Sequence, residues 1–304
     1  MAAHTIPEKR LKTGFALPVL GLGTWMMGGD HAHDPNANMA AEVKALQQGI
    51  ELGFRHIDTA EVYAAGFSET IVADAIRPYR REDLVLASKV GPKNHNYDAL
   101  LSSLKASLER LKTPYLDIYY LHAPNLDVPL QETARALNVA VADGLIKHIA
   151  VSNFHPDRID RLREYLQTPI VANQVHYNLA FREPETVGML KHAQERDYFI
   201  VAWRPIRFAN RKAVPGTGLK NAWEPGAYPV LDQVAAETGK SNIQVALNWL
   251  FAQPQTVALV KSSKADHLAE ICGACGWQLT EAQRRTLSRD FLPQYETSDT
   301  IPLV

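Results

Sequence analysis

A chain of 304 residues with 46% hydrophobic and 21% charged positions has the composition of a globular protein with a large core, which excludes a disordered or fibrous one. Its 32 basic residues balance 33 acidic ones to a formal charge of -1, so no basic field exists to hold nucleic acid or anionic lipid. Two cysteines cannot build a disulfide scaffold at this length, the opening MAAHTIPEKRLKTG lacks the apolar stretch of a secretion signal, and polar residues interrupt every hydrophobic run before it reaches membrane-spanning length; a soluble, cytoplasmic protein is expected.

In chain order, residues 5–17 come first, two short runs around Thr13-Gly14 that predict a β-hairpin. Short aliphatic or β-branched runs then alternate with longer amphipathic ones. Strands are predicted at 19–23, 55–58, 84–90, 116–122, 146–152, 170–175, 199–205 and 256–261. Helices are predicted at 39–52, 68–76, 97–111, 131–142, 156–166, 185–194, 243–251 and 264–272. In the third of these, Leu100, Leu101, Leu104, Leu108 and Leu111 keep one apolar stripe at helical spacing, a face that can cover a sheet. No linker-like stretch appears before Pro205. About eight strand–helix alternations in a chain of this size fit a closed (β/α)8 TIM barrel better than an open doubly wound sheet. The prediction is a single domain over 1–304, with the N-terminal hairpin closing the barrel floor. Residues 207–228 contain Pro215, Gly216, Gly218, Pro225 and Gly226 without apolar period, so a loop is expected there, either a functional lid or a plain solvated connection. Residues 293–304 read as an extended tail.

In such a barrel the C-terminal strand ends meet at one face, and polar residues there are the first site candidates. Those ends offer Asp58, Lys89, His122, Ser152, Asn153, Gln174, Trp203, Arg204, Lys261 and Ser262, with Tyr63 in the loop just beyond Asp58. A phenol titrates near pH 10 and is a poor acid at neutral pH, but an adjacent ammonium favours its anion. Lys89 is placed to supply that cation, Asp58 to keep it charged and fixed, and His122 to donate a hydrogen bond to a substrate oxygen. No activated Ser or Cys nucleophile accompanies them, which argues against acyl transfer. A phenolic acid facing a hydrogen-bond donor suits an oxyanion that must gain a proton, such as the alkoxide formed when a carbonyl is reduced. The plainer alternative is a structural ion pair with a rim histidine and a loop-anchoring tyrosine.

Ordered motifs add a resemblance. GFRHIDTAEVY at 53–63 is similar to the G-x-R-x-x-D-T-A-x-x-Y signature of the aldo-keto reductases. Leu86-Ala87-Ser88-Lys89 and Leu116-Asp117-Ile118-Tyr119-Tyr120-Leu121-His122 resemble that family's Lys- and His-bearing strand ends. Gly144 with Ile149-Ala150-Val151-Ser152-Asn153-Phe154, and Asn173-Gln174-Val175-His176-Tyr177-Asn178, resemble two further segments, so the likeness runs from residue 14 to about 282. It implies a barrel that binds NADP(H) without a Rossmann domain and moves a hydride to a carbonyl, with Asp58, Tyr63, Lys89 and His122 as the catalytic four. Consistently, GLGTWM at 21–26 has Gly21 and Gly23 but Met26 where a dinucleotide fingerprint needs a third small residue.

By the same resemblance Gly23, Thr24 and Asp58 border the cofactor, Ser152, Asn153 and Gln174 hold the nicotinamide carboxamide, and Trp203 stacks on the ring. Arg204 stands where the family has a small Ser near the pyrophosphate; it can pair with phosphate but changes the geometry. Lys261-Ser262-Ser263-Lys264-Ala265-Asp266-His267 is similar to the segment reading the adenosine 2′-phosphate, with His267 in place of Arg. Glu270 matches, while Ile271 replaces a usual Asn. NADPH is therefore favoured, more weakly than usual, and NADH is possible. Trp25 and Trp223, with Tyr63 and His122, are the candidate walls of a pocket for a small carbonyl substrate. A regulatory protein holding NADP(H) with incidental turnover is the rival reading, and a cofactor-free hydrolase or isomerase a weaker one. Cys272-Gly273-Ala274-Cys275 ends a helix and is not expected to be a redox motif, and the pair His31 and His33 lacks a third placed ligand, so no metal is expected. Self-association is left open, and a monomer is compatible with everything in the sequence.

Overall fold

The computed structural model describes residues 4–207, 226–291 and 303. Strands β1 (Glu8–Arg10) and β2 (Ala16–Pro18) pair antiparallel around a turn in which Gly14 adopts φ +93°. Eight parallel strands follow: β3 (Leu20–Gly23), β4 (His56–Asp58), β5 (Val85–Val90), β6 (Leu116–Leu121), β7 (Ile146–Ser152), β8 (Ile170–His176), β9 (Phe199–Trp203) and β10 (Thr256–Val260). They pair in sequence order, and β10 closes onto β3 through Ala258↔Leu20. The chain therefore forms the predicted (β/α)8 TIM barrel, with no open sheet edge in it.

Around the barrel lie α1 (Met39–Glu51), α2 (Phe67–Ile76), α3 (Tyr97–Leu111), α4 (Leu130–Ala142), α5 (Pro156–Arg163), α6 (Glu183–Thr186), α7 (Met189–Arg196), α8 (Pro229–Thr238), α9 (Asn242–Ala252), α10 (Ala265–Cys272) and α11 (Glu281–Asp290). The leucine stripe of α3 does what its spacing predicts: Leu100 and Leu104 are fully buried against the barrel's outer face, each contributing about 2 kcal/mol of apolar burial. Asn96 starts this helix by accepting the Ala99 N–H at 3.0 Å.

Strand alternation sets the site. Ala87, Ile118, Tyr120, Phe199 and Val201 point into the barrel, where Leu11 and Leu17 of the hairpin pack with them and Phe15 meets Phe199 edge-on at 6.1 Å. The hairpin thus closes the floor as expected. Two residues further along each strand, the same inward face reaches Lys89, His122 and Trp203 at the opposite mouth.

The departures from the sequence reading have local causes. One helix expected at 185–194 is two, α6 and α7, because Gly188 takes a left-handed φ of +72° between them. The seventh barrel strand stops at Trp203 because Arg204, at φ +52°, leaves the β region. Helices α8 and α11 were not predicted. The loop expected at 207–228 lies outside the described residues apart from its two ends, as does the tail at 293–304 apart from Leu303. Among the described residues, no helix is long and apolar enough to cross a membrane.

Candidate active site

Lys89 is the centre of the site. Its ammonium is wholly buried, which is costly unless its three N–H groups are all satisfied, and here they are. It makes an ion pair with the Asp58 carboxylate, donates to the Thr59 carbonyl at 2.9 Å, and donates to the Tyr63 hydroxyl at 3.2 Å. The second Asp58 oxygen accepts from Gln174 Nε2 at 2.9 Å, so β4, β5 and β8 are cross-tied at their C-terminal ends. The Tyr63 oxygen acts as acceptor toward Lys89, which leaves the phenol's own O–H free to be donated elsewhere. His122 follows β6, its ring edge-to-face with that of Tyr63 at 5.5 Å. The structure brings together all four residues singled out for chemistry.

Electrostatics correct one expectation. Burial raises the Tyr63 pKa and outweighs the opposing pull of Lys89, so the phenol is a weaker acid than usual, not the acidified one expected from the adjacent cation. For Lys89, burial alone would favour the neutral amine, but Asp58 and Tyr63 together raise its pKa. The ammonium stays charged. His122 is pushed well below its usual pKa, first by burial and then by the positive potential of Lys89 and the neighbouring His31 and His95. It is therefore neutral near pH 7, with one N–H to donate.

A second chain of hydrogen bonds runs along the C-terminal ends of β6 to β9. Ser152 donates to the Gln174 carbonyl at 2.8 Å, and Asn153 donates to Ser152 Oγ at 2.9 Å and to the His122 carbonyl at 3.2 Å. Asn153 in turn accepts from Trp203 Nε1 at 3.2 Å. Its left-handed backbone, φ +61°, is one that Asn tolerates better than most residues. Trp203 stacks on His176 at 4.3 Å, which stacks on Phe181 at 3.8 Å. The sequence reading quoted His176 only as part of a motif; its position directly after strand-interior residues on the Trp203 side was the available signal for this support. The Arg204 guanidinium lies 5.1 Å from the Trp203 ring.

Lys261 and Ser262 precede α10, and His267 is exposed on its first turn; Ser262 Oγ accepts from the Lys264 N–H at 3.0 Å. Lys264 at the N-cap gives no side-chain cap, so the helix N–H groups stay available. Glu270 sits one turn further along α10, its carbonyl accepting from Gln244 at 2.9 Å. Gly23 is open to approach: a Cβ built there meets nothing nearer than 3.8 Å. Thr24 differs, being fully buried with its hydroxyl accepting from Ser68 Oγ at 2.9 Å on the side of α2. Trp25 meets the Tyr63 ring edge-on at 4.9 Å and the His31 ring at 5.1 Å. His31, which the sequence placed only in a possible metal pair, thus lies against the Trp25 ring. Trp223 lies outside the described residues.

His33 lies tilted against the Phe67 ring at 3.8 Å with Nδ1 3.2 Å from the Gly28 carbonyl, and no group of three or more His, Cys, Asp or Glu placed to hold a metal occurs among the described residues. Burial pushes the Cys272 and Cys275 thiols up to about 11 and 12, which leaves little reactive thiolate.

With this geometry established, comparison with known proteins places it. The profile of the aldo/keto reductase family matches residues 19–289. The chain is 33% identical to methylglyoxal reductase YeaE of Escherichia coli, over 91% of this chain and 92% of that protein. Among solved structures, a thermostable aldo-keto reductase crystallised with the inhibitor epalrestat superposes with a TM-score of 0.85 at 37% identity, covering 93% of this chain and 98% of that one. An aldo/keto reductase from Klebsiella pneumoniae, solved with NADP and acetate, gives a TM-score of 0.81 at 32% identity over 99% and 100% of the two chains. A family profile over most of the chain, and likeness to its members along nearly the full length of both partners, make this protein a member of the aldo/keto reductase family.

Proposed function

We propose that the protein is an NADPH-dependent reductase of small aldehydes or ketones, with cofactor and substrate meeting at the C-terminal mouth of one barrel domain. The observation that carries this reading is the buried Lys89 ammonium with its three acceptors, one of them the Tyr63 oxygen. Tyr63 holds its proton at neutral pH because burial raises its pKa, and gives it to the carbonyl oxygen as negative charge develops there. Lys89, already donating to the same phenol oxygen, stabilises the phenolate left behind, while Asp58 and Gln174 keep Lys89 in place. Neutral His122 donates a hydrogen bond that orients the substrate oxygen beside Tyr63.

The residues present fit NADPH. Uncapped N–H groups at the start of α10, flanked by Lys261, Ser262, Lys264 and His267, suit the 2′-phosphate, with Glu270 assigned to the adenine by the resemblance. Trp203 offers a ring face, Ser152, Asn153 and Gln174 line the carboxamide end, and Gly23 and Arg204 border the path between. When bound, the cofactor supplies the hydride that reduces the carbonyl carbon. The Trp25 wall favours an apolar or small carbonyl compound, and the likeness to a methylglyoxal reductase makes 2-oxoaldehydes the first substrates to try.

The test is fluorescence quenching by NADPH and NADH, followed by consumption of each with a panel including methylglyoxal and aromatic aldehydes. NADPH binding with turnover supports the reading. Binding with no turnover on any carbonyl would favour a nucleotide-sensing role instead.

A further inference from the structure

Lys89 sits on the regularly paired strand β5, but Tyr63 stands at the head of an irregular turn. Ala64 (φ 50°, ψ 39°) and Ala65 (φ 54°, ψ 38°) are both left-handed, and Gly66 continues at φ 88°. Two consecutive alanines in that region are disfavoured, so the turn persists only because its surroundings hold it. Besides the Ala64 N–H, which donates to the Asp30 carbonyl at 2.7 Å, two side-chain braces hold it, one ending on the loop just after β5 and the other on Ser88 of β5.

Before Tyr63, the Glu61 backbone N–H donates to the Lys89 carbonyl at 3.2 Å, and its carboxylate accepts from Gly91 N at 2.7 Å and Asn94 Nδ2 at 3.0 Å. After Tyr63, Gly66 lies against the Arg110 guanidinium so closely that a Cβ on it would fall 2.7 Å from Nε. Arg110 is fixed by Glu69, whose Oε2 accepts from Nε at 2.6 Å and whose Oε1 accepts from Ser88 Oγ. The Glu69 and Ser88 side chains are fully buried. Ser88 precedes Lys89 and, by strand alternation, faces the helices while Lys89 faces the barrel. The turn is thus clamped to the outer side of the strand segment whose inner side carries the ammonium.

We propose that Glu61 at one end, and Glu69 with Arg110 at the other, are positioning residues that hold the Tyr63 hydroxyl at hydrogen-bonding distance from Lys89. They would act through Tyr63 and not on substrate or cofactor directly. The proposal rests on the reading of Tyr63 as proton donor, and predicts that releasing either brace separates the phenol from the amine without disturbing the cofactor site.

The experiment uses the full chain as Glu61→Ala and as the paired variant Glu69→Gln/Arg110→Gln, which leaves no lone charge in the buried network. Its first readout needs no turnover: the Tyr63 ¹³Cζ resonance near neutral pH, assigned by its loss in Tyr63→Phe and referenced to its position in Lys89→Met. Each variant is expected to move the resonance toward the Lys89→Met position, to lower kcat for methylglyoxal by about tenfold or more, and to keep the NADPH Kd within about twofold. A resonance that stays at its wild-type position in both folded variants overturns the clamp. If one variant fails to fold, the other decides alone, since each brace is claimed to matter by itself. If the resonance moves but wild-type protein consumes no NADPH, the clamp stands and the reductase reading fails.

Discussion

His122 and His267 carry the sharpest predictions at the scale of single residues. His122 becomes charged only well below its usual pKa, because the mouth desolvates it and Lys89, His31 and His95 oppose a further positive charge. Reduction should therefore show no break near pH 6.5 and decline only in the alkaline range, where Tyr63, its pKa raised, begins to lose its proton. A pH profile of kcat/KM checks this; a fall near pH 6.5 that vanishes in His122→Gln would contradict it. His267→Arg should raise the preference for NADPH over NADH by roughly tenfold, through a charged, bidentate phosphate contact. Equal cofactor ratios in the two proteins would count against α10 as the phosphate site. The identities of the four central residues were legible because Asp, Lys and His at strand ends need partners. The direction of the Tyr63 shift was not. It depends on how much solvent the folded mouth removes, which adjacency to Lys89 cannot reveal.

At the scale of elements, local chemistry explains both the matches and the misses. The α3 helix was readable from residue 97 to 111 from its apolar stripe, and the structure adds the Asn96 cap. Asn96→Ala should cost about 1 kcal/mol by chemical denaturation, and Leu104→Ala about 2–5 kcal/mol, as an emptied site under a full helix stripe. An Asn96→Ala protein as stable as wild type would show that the cap adds nothing. Helix α11 was missed although Thr280 and Gln283 form a reciprocal capping box, a signal present in the sequence but masked by the helix's polar composition. Gly188 was legible only as a residue able to break a helix; that it does so needs the left-handed φ seen in the fold.

At the scale of the whole molecule, the barrel holds His56 and His95, besides His122, neutral by burial, and they contribute to its acid sensitivity. Burial lowers His56 and His95 to about 4, whereas in the unfolded chain they titrate near 6.5. Their contribution is complete above pH 6.5 and is lost as pH falls toward 4, because the unfolded state takes up protons first; each difference is worth up to about 3 kcal/mol. Stability should fall across that window and fall less steeply in His56→Gln; parallel slopes would exclude His56. The (β/α)8 closure was legible from alternation alone, since eight short runs separated by amphipathic ones leave few other arrangements, and the inward face of each strand then delivers its last polar residue to a common mouth. The most direct measurement is single-turnover NADPH oxidation by wild type and Tyr63→Phe with methylglyoxal, alongside NADPH affinity. The variant should bind NADPH within about twofold of wild type and react roughly a hundredfold or more slowly. Equal rates at equal occupancy would contradict Tyr63 as the proton donor.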